Sequence, residues 1–135
     1  MGLAERRSIQ NFKDKHFPAI QEDIDKVAGF AVQMEIQWDT LCAEGRAEYT
    51  AEWLPKVYFT PLRDAFAAVA CDALGKEALA AGLKKVEICN KSEQYGRDAF
   101  KFESGVLSID HRSDVNIDDV EERTKHLQQL LESKL

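Results

Sequence analysis

Three groups of residues in this chain have types and spacing that could do chemistry. The first centres on His111, which follows Asp110 at the end of an alternating segment and, in the pairing derived below, faces Asp98. A carboxylate beside an imidazole orients its tautomer and raises its pKa, as a general base requires. The plainer reading is an ion pair that closes a strand end, and no nucleophile is evident nearby. The second is Cys89, which alternation places on the same side as Lys85 and Glu87. A thiol near cations can be reactive, whereas a half-buried cysteine is more often a small apolar filler. The third is aromatic: Trp38, Trp53, Tyr58 and Phe59 could wall a pocket where a strand leads into helices, or could simply be core.

A fourth feature is a surface rather than a site. Gln33, Glu35, Gln37, Lys85, Glu87, Lys101, Ser108 and Asp110 fall at the polar positions of alternating segments, so they would project together from one sheet face. Such a face is either solvated or presented to a partner, where both charge signs would give orientation. The remaining histidines are less suggestive. His16 precedes a proline break, and His126 lies in a charged helical stretch.

Motifs with a defined mechanism are missing from the sequence. There is no Walker loop, Gly-x-Gly-x-x-Gly, His-Glu-x-x-His or nucleophile elbow. Three histidines and three scattered cysteines offer no zinc spacing, so neither a cofactor nor a structural metal is expected. Cys42, Cys71 and Cys89 are odd in number and widely spaced, which suits a reducing cytoplasm.

Composition narrows the functional classes. The chain has 135 residues, 44% apolar and 31% charged, the profile of one globular domain spanning 1–135. A formal charge of −6 disfavours nucleic acid and anionic membranes, both of which need a basic surface. The N-terminus is polar, without a secretory core. It begins Met1-Gly2, but Arg6 stands where an acylation signal wants Ser or Thr. Asn90-Lys91-Ser92 matches a glycosylation sequon that has no secretory signal to support it.

The elements that must position these residues follow from periodicity. Leu3 to Val27 is helical, with Pro18 dividing it and Gly29 ending it. Phe30 to Asp39 alternates as a strand, with Phe30, Val32, Met34, Ile36 and Trp38 on one face. Helical periodicity returns from Glu44 to Lys84. Thr60-Pro61 reads as a capped start, Leu62 to Leu74 as an apolar face, Gly75 as a stop and Gly82 as a second one. Two further strands then flank Ser104-Gly105. A two-residue turn there pairs Phe102 with Leu107 and Phe100 with Ile109, leaving every large apolar residue on one side. Asn116 reads as the cap of a last helix with the stripe Ile117, Val120, Leu127, Leu130 and Leu131.

The expected architecture is therefore α+β, a two-layer sandwich with a mostly antiparallel sheet of about four strands and helices on one face. Its expected role is a protein-binding module of the adaptor, chaperone or inhibitor type. Two alternatives remain: a small-molecule binder with a pocket between sheet and helices, and a small enzyme using His111 with Asp98 or Asp110. The candidate binding residues are Gln33, Glu35, Gln37, Lys101, Trp38, Trp53 and Tyr58. A protein partner or self-association is expected. With no crosslink or metal expected, a chelator or a thiol reductant should leave the melting temperature unchanged, and a fall of several degrees with either would contradict this reading.

Overall fold

The computed structural model describes Gly2–Leu135; Met1, the first residue of the discounted acylation signal, lies outside that range. Helices α1 (Leu3–Lys15) and α2 (Phe17–Ala28) meet at His16. Pro18 lies in the first turn of α2, where a missing N–H costs nothing. Gly29 closes α2 in the left-handed region, with φ of 88°. The chain then extends into β1, whose paired part is only Met34–Ile36, before turning at Trp38–Thr40. The alternation from Phe30 to Asp39 is thus mostly extended chain packed on the core rather than hydrogen-bonded strand. Being short and at the sheet edge, it leaves Met34, Ile36 and Trp38 half-buried.

The middle of the chain is a helical run that two prolines reshape without breaking. α3 (Thr50–Leu54) passes through a wider π turn at Pro55–Phe59 into α4 (Thr60–Val69). The N–H of Thr60 donates to the carbonyl of Pro55, five residues back. In a regular helix the Pro61 ring would press on the carbonyl of Val57, and the wider turn relieves that clash. α4 does begin at Thr60 with Pro61 in its first turn, as expected, but it continues the run from the π turn and the Thr60 hydroxyl caps nothing.

Gly75 also departs from expectation. α4 ends at Ala70, and α5 (Ala73–Gly82) begins with Asp72 accepting a hydrogen bond from the N–H of Gly75 at 2.8 Å. Glycine is needed here for close approach, since a Cβ would sit 1.7 Å from the carbonyl oxygen of Val69. Leu74, expected on an apolar face, is 77% exposed as a result. Gly82 does end its helix.

The sheet contains β1, β2 (Lys85–Cys89), β3 (Phe100–Glu103) and β4 (Val106–Asp110) in the order β1-β2-β4-β3. Here the expectation of a mostly antiparallel sheet is corrected. β1 and β4 both run parallel to β2, and only β3 and β4 are antiparallel. The hairpin itself has the expected register, Phe102 opposite Leu107 and Phe100 opposite Ile109, around Ser104 and Gly105 with φ of 53° and 80°. What differs is the strand it offers to β2. The segment 90–99 carries the chain past one strand position, so β3 takes the outer place. β4 then returns between β3 and β2, running the same way as β2.

Alternation sorts the sheet into two faces. Met34, Val86, Leu107 and Phe102 form one inward row, and Ile36, Ile88, Ile109 and Phe100 the next. These residues join Phe12, Ile24, Tyr58, Phe59, Leu62, Phe66, Leu127 and Leu131 in one continuous core. Each large apolar side chain buried there contributes about 1.5–3 kcal/mol.

The last helix, α6 (Val120–Lys134), begins later than expected. Asn116 is not its cap but a turn residue with φ of 51°. Its carbonyl accepts from the guanidinium of Arg123 at 2.7 Å, and the same group donates to Ile117 at 2.6 Å and Lys56 at 3.1 Å. Arg123 is only 3% exposed and ties α6 to the π turn and the preceding loop.

The Gly75 contact gives a test with an unusual sign. In an ordinary helix Gly→Ala stabilises by about 0.8–1.0 kcal/mol. Here Gly75→Ala should destabilise by about 1–3 kcal/mol, because the methyl overpacks against Val69. Urea unfolding measures this, and a stabilised variant would refute the close approach.

Candidate functional site

The outer face of the sheet gathers the polar residues that alternation assigned to it. Glu35, Glu87, Ser108 and Lys101 form a row across all four strands. Glu35 and Glu87 are lateral neighbours, a repulsive pair unless a cation intervenes. Lys85 supplies it, with its ammonium 3.2 Å from Glu35 and 3.1 Å from Glu87. Those two carboxylates raise the Lys85 pKa above its ordinary value. Gln33 and Gln37 flank β1 and are exposed, and the N–H of Gln37 continues the ladder by donating to Ile88 at 2.9 Å. Lys101 is exposed and, among the described residues, has no ion-pair partner.

At the carboxyl ends of the parallel strands this face deepens into a cleft of about 330 Å³. Gln37, Glu87, Cys89, Lys101, Ser108 and Asp110 line it from the strands. Ser92, Gln94 and Asp98 line it from the segment 90–99, which forms its rim. One oxygen of Asp110 holds that rim by accepting from the N–H groups of Lys91 at 2.8 Å and Ser92 at 3.2 Å. Partial burial acts to raise the Asp110 carboxyl, but these donors outweigh it and hold the pKa below the usual carboxylate range.

Cys89 sits beside Asp110 in this cleft and does not meet the electropositive surroundings a reactive thiol needs. Burial first, and the neighbouring carboxylate second, push the thiol pKa up, and Lys91 does not offset them. It is a protonated thiol on a polar wall. Cys71 is exposed, and Cys42 is half-buried beside the hydroxyl of Thr50 at 3.5 Å.

His111 is placed differently from the expected ion pair. Successive strand residues face opposite ways, so Asp110 points outward and His111 inward. β3 starts only at Phe100, and Asp98 belongs to the helical turn Gly96–Ala99, facing the cleft. Neither carboxylate reaches the ring. His111 is 1% exposed and packs on Phe100, with ring centroids 5.8 Å apart. Its Nδ1 lies 2.6 Å from the carbonyl oxygen of Arg112; a carbonyl only accepts, so Nδ1 carries the proton. Burial is the main cause of a lowered pKa, and nearby Arg123 adds to it. The Tyr58 hydroxyl donates to the His111 carbonyl at 2.6 Å, and burial raises its pKa far above normal.

The aromatic candidates do not come together around a hollow. Tyr58 is fully buried, and Trp38 packs edge-on against Phe17 at 4.9 Å and near Phe59 at 6.1 Å. Trp53 lies elsewhere, stacked on Tyr49 at 4.6 Å. His16 is exposed beside Phe12, and His126 is half-buried, 3.8 Å from Glu122. Among the described residues no group of three or more His, Cys, Asp or Glu is placed to share a metal ion. No helix among them is long and apolar enough to cross a membrane.

Two features were missed in the sequence. Arg123 could have been found, because it interrupts the apolar stripe that runs from Val120 to Leu127 and Leu131. The cleft could not, since its rim depends on where the hairpin docks. Comparison with known proteins finds no match among protein-family models, curated proteins or solved structures.

The placement of His111 sets a pH test. Its pKa is lowered on folding from 6.5, so its contribution to stability is complete above that pH and is lost as pH falls through the lower, folded value. His111→Gln should cost about 1–3 kcal/mol at pH 7.5, the scale of a buried hydrogen bond, instead of the 0–1 of an exposed ion pair. It should also flatten the stability loss below pH 6.5, though His126, lowered by burial as well, leaves a residual slope. A neutral-pH cost under 0.5 kcal/mol on about that scale, with an unchanged acid slope, would overturn the buried, neutral assignment.

Proposed function

We propose that this chain is a protein-binding module that recognises its partner on the outer face of the sheet. One observation carries the reading. Purely parallel sheets are almost always covered on both faces, whereas here two of the three strand pairings are parallel and one face is bare. All the helical cover lies on the inward side, where the apolar rows are.

The chemistry of the bare face fits a protein partner. It is polar and carries both charge signs, with Glu35, Lys85 and Glu87 clustered toward one edge and Lys101, without an ion-pair partner among the described residues, at the other. A pattern of this kind orients an incoming surface and rejects mismatched ones. Backbone groups along the free edge of β1 could extend the contact by strand addition. Nothing in this role calls on His111 or Cys89 as reactive groups.

Charge reversal tests the reading. Immobilised protein is exposed to extract from its source cells, and the specifically retained protein is quantified. Glu35→Lys combined with Lys101→Glu should reduce retention about tenfold or more, the effect of several like-charge contacts. Lys13→Glu combined with Glu22→Lys, on the exposed sides of α1 and α2, should leave it unchanged. Equal retention by the face variant, or no retained protein at all, would count against the proposal.

A further inference from the structure

The cleft gives the proposed partner a chemical identity. We propose that it is a cation pocket that takes an arginine side chain of the partner; this rests on the reading of the outer face as a recognition surface. Three observations converge on it.

The first is position. In open sheets with parallel strands, ligands bind beyond the carboxyl ends of those strands, and the cleft lies at the ends of β2 and β4, with Gln37 following β1. Its volume of about 330 Å³ suits one side chain or a small molecule.

The second is charge. Glu87, Asp98 and Asp110 face the cleft against one ammonium, that of Lys101. Including Lys85 and Glu35, which share Glu87's network, and Lys91, whose charge reaches Cys89, leaves four carboxylates and three ammonium groups. An anion placed there would meet an excess of like charge, and a cation would be attracted. Asp98 is the group with capacity to spare, because its carboxylate has no ion-pair partner among the described residues.

The third is preorganisation. Asp110 already fixes the 90–99 rim through the N–H groups of Lys91 and Ser92, so the wall does not have to be ordered on binding. The lining then presents acceptors of several kinds: carboxylates, the Ser92 and Ser108 hydroxyls and the Gln94 amide oxygen. A guanidinium has five donors in a rigid plane, is weakly hydrated and pairs with carboxylates in a bidentate way. An ammonium is a compact, strongly hydrated point charge and gains less from this arrangement.

Amide chemical-shift titration at low salt tests this without the native partner. The probes are Nα-acetylarginine methylamide, its neutral citrulline counterpart and Nα-acetylglutamate methylamide. The arginine probe should give saturable shifts concentrated at residues 87–89, 98–101 and 108–110. Citrulline should bind roughly tenfold more weakly, because it keeps the shape and loses the charge-assisted hydrogen bonds. The glutamate probe should produce none. Asp98→Asn should weaken arginine binding about threefold and Lys101→Gln should tighten it about threefold, the scale of single exposed ion pairs. Opposite signs for two neighbouring surface variants cannot come from loss of structure. Equal binding of citrulline, shifts spread over the helical side, or two variants moving together would overturn the cation pocket. If the charge-reversed face still loses its partner in the same hands, only this inference fails and the recognition face stands.

Discussion

β2 has a strand on each side and an apolar face pressed on helices, and the pairing of this one strand with β4 constrains most of the molecule. The parallel register Val86 with Leu107 and Ile88 with Ile109 aligns the inward residues of β2 with those of the hairpin. A slip of one residue would turn Val86 and Ile88 outward and bury Lys85 and Glu87. Desolvating those charges costs far more than the core could return. The same pairing forces β3 to the outside, stretches the 90–99 segment past the strand ends and so builds the cleft rim. Core and cleft are therefore two consequences of a single register.

Buried polar groups fasten the end of the sheet to the helices. The Tyr58 hydroxyl reaches the backbone of His111, His111 caps the carbonyl of Arg112, and Arg123 gathers three carbonyls from the π turn and the loop before α6. Such groups are costly to bury unless their hydrogen bonds are made, so they specify one docking of the helical layer. The π turn supports this arrangement, because its residues Val57, Tyr58 and Phe59 are all buried. The result is a packed helical layer on one side of the sheet and a polar, uncovered surface on the other.

Local rules made much of this legible. The Ser104-Gly105 hairpin and its register follow from period-two alternation, and the split at Pro18 and the end at Gly29 follow from backbone chemistry. Strand order was not legible, because it turns on which hairpin edge docks against β2, a choice made by packing far along the chain. Short connections suggested a meander; ten residues proved enough to skip a position. Gly75 looked like a stop because glycine ends helices, yet here its missing Cβ matters for contact with Val69 and not for φ. Alternation alone extends the hairpin to Asp98 opposite His111, two residues beyond where β3 begins. Of the candidate site, the outward polar set was readable as a list, but its gathering into a cleft with Asp98 on the rim required the fold.

Lysine footprinting with a small amine-reactive reagent shows whether a partner covers the bare polar face of the sheet. In the isolated protein at low concentration, Lys85 and Lys101 should both be modified. In concentrated extract from the source cells, both should be protected, with Lys101 losing most because it has no ion-pair partner among the described residues. Lys13 and Lys26, exposed on α1 and α2, should react equally in the two settings. Equal modification of Lys85 and Lys101 with and without the extract would mean that the face is simply solvated.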